Sequence, residues 1–306
     1  MRRVAHFLAP NCCGKATYIG SSALQRAFWA RRMAIFTGWI DDSFRENVWS
    51  VGGYVGAEHR WELFNTMWPM ALANHEVPYF HMREMAKPKG VFAKWHPPQD
   101  HRAELADFFG GLAKVVSESC LVGVLSLVRL NDLERFNKEY RQELKPYPLA
   151  AYGCMLMAAR DNPGMSTELV FDHCEGIGSK LATARAYASS DTYNEGDFSA
   201  LIVTPLPDHL TFKDVPALQA ADFFAWEYRK NHEKVSAWFD LSDKPADWDD
   251  QWAHFEKWYA AQGLGDNVRV LRKSAAALLD GNEFYPLIWD YRRICEANEL
   301  RGGIWS

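Results

Sequence analysis

Several familiar signatures are missing, and each absence removes a class of chemistry. The 306 residues contain no Gly-x-x-x-x-Gly-Lys phosphate loop, no Gly-x-Ser-x-Gly nucleophile elbow and no glycine-rich dinucleotide fingerprint. Nothing in the chain therefore points to a P-loop nucleotide hydrolase, a serine hydrolase of that type or a nicotinamide enzyme. No apolar run approaches the roughly 18 residues of a spanning helix, so no membrane partner is expected. Cys-x-x-Cys pairs are lacking among the six cysteines, which argues for a reducing, cytoplasmic setting without structural zinc. Internal repeats and low-complexity linkers are absent too. The net charge of -5 carries no global signature of nucleic-acid binding, although a local basic loop or a bound divalent cation can still recruit phosphate.

What is present is a globular composition. Hydrophobic residues make up 48% and charged residues 24%, and the length suits one large domain or two ordinary ones. Aromatics reach 14%, including 13 Trp, which implies a well-filled core and a surface where flat rings can be exposed. The first 32 residues read as an extension, with a helix over Ser22–Arg32. Their arginine pair and apolar patch resemble a signal peptide only faintly, since His6 and Pro10 interrupt the patch. The main domain is expected over residues 33–231, followed by a Trp-rich helical extension over 232–306.

Within the main domain strands alternate with helices. Ala34–Ile40 and Val48–Val55 read as strands, with Gly52-Gly53 marking a bulge or a close backbone approach. Glu58–Leu72 reads as a helix. Pro98–Val116 is an amphipathic helix, with Leu105, Phe108, Phe109, Leu112, Val115 and Val116 on one face. Leu121–Val128 is a strongly apolar strand and Tyr147–Arg160 a helix apolar nearly all round. Thr167–Asp172 and Leu201–Leu206 read as further strands. A last helix spans Val215–Lys230, with Asp214 as its cap and Pro216 in its first turn. This alternation predicts an α/β layer architecture.

Four acids interrupt that pattern. Asp41 ends the first strand and Asp172 ends TELVFD. Asp222 shares an apolar helix stripe with Leu218, Ala221 and Ala225 by i, i+3, i+4, i+7 spacing. Glu84 follows His81 by three residues in FHMREM. A carboxylate placed against apolar surface is costly unless it is paired or coordinates a cation. Converging carboxylates repel one another, and a hard cation such as Mg²⁺ or Mn²⁺ resolves that repulsion with oxygen ligands. Two such ions about 4 Å apart can hold a phosphodiester and activate water. Each acid also has a plainer reading: Asp41 or Asp42 as a turn cap, Asp172 as acceptor for the loop after it, Asp222 paired with Arg229, and Glu84 solvated.

The order of these motifs resembles the domain-of-unknown-function-3800 family, whose members are similar to ribonuclease-H-like enzymes. The resemblance rests on a strand running into Asp41-Asp42-Ser43, the strand VWSVGGYV, then Phe80-His81-Met82-Arg83-Glu84, Val170-Phe171-Asp172, and the helix ALQAADFFA ending in Asp222-Phe223-Phe224-Ala225. It implies a mixed central sheet with helices on its faces and a metal-binding, catalytic set of Asp41, Glu84, Asp172 and Asp222. It also implies an auxiliary role for His81. The family's Asp-Glu-Ser-Gly stands here as Asp41-Asp42-Ser43-Phe44, which leaves Asp42 either a turn cap or an outer acid. The implied activity is a phosphodiester hydrolase, a nuclease, using Mg²⁺ or Mn²⁺. A catalytically inactive binding or scaffold protein and a small-nucleotide phosphohydrolase are the alternatives.

Two further stretches bear on function. AKPKGVFAKWH places Lys87, Lys89 and Lys94 beside Trp95, where lysines can hold a nucleic-acid backbone and the indole can stack a base. A solvated loop with an anchoring Trp is its plainer reading. Asp243, Asp247, Asp249 and Asp250 read as an acidic helix start, with Trp248, Trp252, Phe255 and Tyr259 forming the packing face behind it.

Overall fold

Phe36–Arg45 forms strand β1 and pairs antiparallel with β2 (Val48–Ala57) along its whole length, from Phe36 opposite Ala57 to Arg45 opposite Val48. The computed structural model describes residues 36–45, 47–87, 89–161, 165–189, 198–239 and 287–300. The helix expected over Ser22–Arg32 and the acidic, Trp-rich segment from Asp243 to Tyr259 lie outside them.

β1 is longer than the sequence suggests. Asp41 and Asp42 sit inside the strand because β2 continues to satisfy its backbone groups through Arg45. β3 (Val122–Arg129) pairs antiparallel with β2. β4 (Thr167–Phe171) lies parallel to β1, and β5 (Leu201–Pro205) lies parallel to β4. Leu287–Trp289 forms β6, parallel to β3, so this part of the tail is a strand of the sheet rather than part of a helical extension. The strand order is β5-β4-β1-β2-β3-β6, a mixed sheet flanked by helices.

The helices in chain order are α1 (Glu58–Ala73), α2 (Met82–Ala86), α3 (Arg102–Glu118), α4 (Leu130–Tyr140), α5 (Pro146–Asp161), α6 (Ile177–Ser189), α7 (Pro216–Phe239) and α8 (Tyr291–Leu300). α7 packs across β1 and β2, and α1 packs on α3 and α7. α5 covers β2 and β3 from the other face, with α6 against it. The alternation of β2 separates the faces. Ser50 donates to the Ala225 carbonyl of α7 and Tyr54 meets Phe224, whereas Trp49 meets Tyr147 of α5.

The glycine pair of β2 marks close approach, as its sequence suggests. A Cβ at Gly53 would fall 1.8 Å from the Trp39 carbonyl oxygen and 3.1 Å from the Ala221 side chain. Asp214 does something other than cap α7: its carboxylate accepts from the Thr211 N–H and hydroxyl, closing the preceding turn. The four described cysteines are free; Cys154 is buried, while Cys120 is exposed in the turn after α3. Among the described residues no helix is long and apolar enough to cross a membrane.

Much of the aromatic content lies under the 77–95 segment. Phe80 touches Trp68, Phe92, Phe108, Phe109 and Phe223, with ring centroids 5.5–6.4 Å apart. Rings at such separations add to the benefit of area burial through edge-to-face and offset stacking. This layer fixes the chain just before His81.

Candidate functional site

Unequal strand lengths open the site. β4 stops at Phe171, opposite Ile40, and the Asp172 N–H donates to the Ile40 carbonyl at 2.8 Å. β1 continues to Arg45 beyond that point, so Asp41 and Asp172 stand where two parallel strands part at their carboxyl ends. Open α/β sheets commonly bind ligands at such places. α7 crosses β1 and brings Asp222, and the 81–84 segment brings His81 and Glu84. A cleft of about 870 Å³ results, with Asp41, Asp42, Asp172, Asp222, His81 and Glu84 among its lining residues.

α7 also positions the segment opposite it. Gln219, only 2% exposed, accepts from the Phe80 N–H at 2.9 Å and the Trp68 indole at 3.0 Å, and donates to the Phe212 carbonyl at 3.0 Å. Three residues on, Asp222 Oδ2 accepts from the Met82 N–H at 2.7 Å. Leu218, Gln219 and Asp222 thus divide the work on one helix: core packing, loop clamping and a carboxylate at the cleft. Gln219 stands in the ALQAADFFA motif of the sequence reading without a role of its own, though an amide among apolar helix residues was its visible signal. Glu84 is oriented by Tyr79, whose hydroxyl donates to Oε2 at 2.9 Å, and by His81 Nδ1, 3.4 Å from Oε1. His81 in turn stacks on Phe212, with centroids 4.4 Å apart.

The two adjacent acids of β1 face opposite ways. Ser43 and Arg229 of α7 join through a 2.8 Å bond from Nε to Oγ, which puts the odd residues of this strand end, Asp41 included, on the α7 face. Asp42 accepts from the Trp49 indole at 3.1 Å and lies near Lys180 of α6, on the α5–α6 side. Cys174 and Tyr147 belong to that second cluster, where Lys180 Nζ donates to Cys174 Sγ at 3.3 Å.

Electrostatics separates the acids from ordinary surface carboxylates. Burial, then the charges of Asp222, Asp172 and Asp42, push Asp41 well above the usual carboxylate range. Its one opposing influence is the Asp42 N–H, which donates to Oδ1 at 2.7 Å. Burial also lifts Asp222 to about 6, against the favourable Met82 N–H and His81. Asp172 is raised by burial, opposed by the His173 N–H. Asp42 is raised by burial, opposed by Lys180 and Trp49. Asp41, Asp172 and Asp222 are thus held by backbone N–H donors and remain undercompensated, whereas Asp42 is met by an indole and an ammonium.

The cleft brings together Asp41, Asp42, Glu84, Asp172, Asp222 and His81, and its rim includes the exposed side chains of Lys87, Lys89 and Arg83. It does not include Lys94 or Trp95. Trp95 is a core residue at 2% exposure, packed on Phe92 and Phe108 with its indole donating to Glu104. Lys94 donates to the His75 carbonyl and lies over the Trp95 ring, away from the acids. The expected base-stacking role of Trp95 is therefore corrected: the 3₁₀ turn Gly90–Trp95 folds its hydrophobic residues inward. Ser43, Phe44, Trp226 and Arg229 line the cleft without having been singled out as site residues.

The donor chemistry, hard oxygens of several undercompensated carboxylates, fits a hard cation. Among the described residues, however, no three His, Cys, Asp or Glu side chains stand in an arrangement that could hold a metal ion as placed. Comparison with family models, with curated proteins and with solved structures finds no match for the chain.

Proposed function

We propose that this chain is a ribonuclease-H-like phosphodiester hydrolase of the domain-of-unknown-function-3800 type, acting on nucleic acid with the help of Mg²⁺ or Mn²⁺. One observation carries the reading: Asp41, Glu84, Asp172 and Asp222, from the interior of β1, the end of β4 and two helices, converge on one cleft. Burial pushes Asp41, Asp172 and Asp222 toward the protonated form, and mutual charge adds to this for Asp41 and Asp222. The mixed sheet flanked by helices is consistent with the fold half of the proposal.

Asp41, Asp172, Asp222 and Glu84 would hold one or two ions. Bound there, such ions supply Lewis-acid polarisation of a phosphodiester oxygen and make water acidic enough to attack. The residues of the chain do the rest. Arg83, Lys87 and Lys89 at the rim attract phosphates, giving an acidic floor beneath a basic edge. His81, held between Phe212 and Glu84, would pass a proton to the leaving oxygen in this reading.

A second reading is an inactive binding module. The carboxylates already accept backbone or hydroxyl donors, and no three are arranged to hold an ion. A Mn²⁺ titration decides between the two. The nuclease reading expects a rise in melting temperature of the wild type with added Mn²⁺, by linkage, together with turnover of a nucleic-acid substrate. Asp41→Asn is expected to abolish both. Neither stabilisation nor turnover at saturating Mn²⁺ would leave the binding module as the function.

A further inference from the structure

Two aromatic side chains line the cleft without being buried in the core. Phe44 follows Asp41 by three residues, is 52% exposed and lines the cavity. Trp226 also lines it and retains partial exposure. Trp226 follows Asp222 by four residues on α7, so it occupies the same helix face about 6 Å further along the axis. Both rings are held in place. Phe44 lies on Trp49 at 4.8 Å with a 32° tilt, and Trp226 has the Lys230 ammonium 4.7 Å and the Arg229 guanidinium 5.8 Å from its centroid. Arg229 is itself bonded to Ser43, tying the tip of β1 to this turn of α7.

An indole with cations over its ring, one helical turn from the acidic floor, can receive an unstacked base when the Lys230 ammonium turns from the ring to the phosphate beside that base. We infer that Trp226, with Phe44 at the rim of the same cavity on the other face of β1, forms a base-stacking subsite, so that the ligand is single-stranded nucleic acid rather than duplex. This subsite takes the place that Trp95, buried in the core, cannot fill. The inference rests on the phosphodiester reading of the same cleft. A base in a duplex is stacked on its neighbours and cannot lie on the indole, so the subsite selects strands with free bases. Stacking tolerates any base, because each has a π-face, and strength rather than sequence is what it contributes.

The test measures fluorescence anisotropy of the full chain at low salt, in EDTA so that no strand is cut. The probes are a labelled single-stranded thymidine oligomer, the same oligomer with abasic sites throughout, and the corresponding duplex. Wild type is expected to bind the base-bearing strand about 10-fold tighter than the abasic strand, within the range of one stacked base. It should also prefer that strand to the duplex. Trp226→Ala should bring the base-bearing strand down to the abasic level, Trp226→Phe should keep most of the difference, and Phe44→Ala should remove part of it. Equal wild-type affinity for base-bearing and abasic strands overturns the stacking subsite and leaves phosphate recognition standing. Preference for the duplex overturns it as well, as does a Trp226→Ala variant that weakens both single strands alike. Binding of none of the three, both in EDTA and with Ca²⁺ in its place, overturns the nucleic-acid reading itself. The wild-type comparison needs no variant to fold.

Discussion

Replacing Asp222 by asparagine is expected to stabilise the metal-free protein at neutral pH, which is unusual for a substitution at a part-buried polar site. Burial, aided by the charges of Asp172 and Asp42, raises this carboxyl from 3.8 to about 6. The folded chain then binds more protons than the unfolded chain between those values, so stability falls as pH rises through that window. At about 1.4 kcal/mol per pH decade, the loss from this group alone reaches about 3 kcal/mol above the window. Asparagine removes the charge, keeps the size, and can still accept from the Met82 N–H with its Oδ1. Urea or thermal unfolding in EDTA should therefore show Asp222→Asn more stable than wild type by about 2–3 kcal/mol at about pH 8, or some 5 °C or more in Tm. The difference should shrink on acidification and vanish near pH 3, where both side chains are neutral. With Mn²⁺ the order should narrow or reverse, because only the wild type keeps the full carboxylate set. An Asp222→Asn protein that is less stable at neutral pH, or whose difference from wild type does not change with pH, would refute the claim that charge is held here at a cost.

Other expectations follow from particular contacts. Gln219→Ala leaves the Trp68 indole and the Phe80 N–H without their acceptor in the core. It should cost about 3 kcal/mol or more in denaturant unfolding and, by releasing the 80–84 segment, lower kcat more than it raises KM. Changing Lys87 and Lys89 together to Ala should reduce the slope of log affinity against log salt by about 1–2 for a nucleic-acid probe, with little effect on Tm. An unchanged slope would remove them from the binding surface. Asp42→Asn should retain the Mn²⁺-dependent rise in Tm that Asp41→Asn loses, because Asp42 faces Trp49 and Lys180 rather than α7. Loss of that rise in both variants would mean that the two acids share a site.

The layered α/β architecture and the strand carrying the acids were legible because their hydrophobic runs are strong: LVGVLSLV cannot be mistaken for a surface segment. α4 and α6 were not. LNDLERFNKEY buries only Leu133 and Phe136 among its charges, and IGSKLATARAYAS is rich in alanine with little apolar contrast. β6 was hidden because three residues form no period; only its parallel pairing with β3 makes it a strand. The acids were visible as charges in apolar surroundings, a local signal. Which lysines belong to them was not, because that depends on how the 87–96 loop turns. The Gly90–Trp95 turn buries Trp95 and carries Lys94 away, while Lys87 and Lys89 remain at the rim. Trp226 and Phe44 could not be separated by sequence from the many aromatics that fill the core.

The division between Asp41 and Asp42 also bears on whether the cluster is structural. A helix that needed only to hold the Met82 N–H would be served as well by asparagine, which carries no charge into a dry environment. A strand that needed only to hold the Asp42 N–H would likewise accept asparagine at position 41. At both positions the chain has a carboxylate raised by burial and by its neighbours. The hydrogen bonds that hold these acids recover part of that cost and leave the rest. Asp42, by contrast, has the compensation expected of a structural acid, with an indole donor and the Lys180 ammonium nearby. On the proposed reading, the less compensated charge on one face of β1 and the better compensated charge on the other separate an acid kept for what it can bind from one kept for the fold. This is why the functional reading rests on Asp41, Asp172 and Asp222 together rather than on the adjacent pair that the sequence presents.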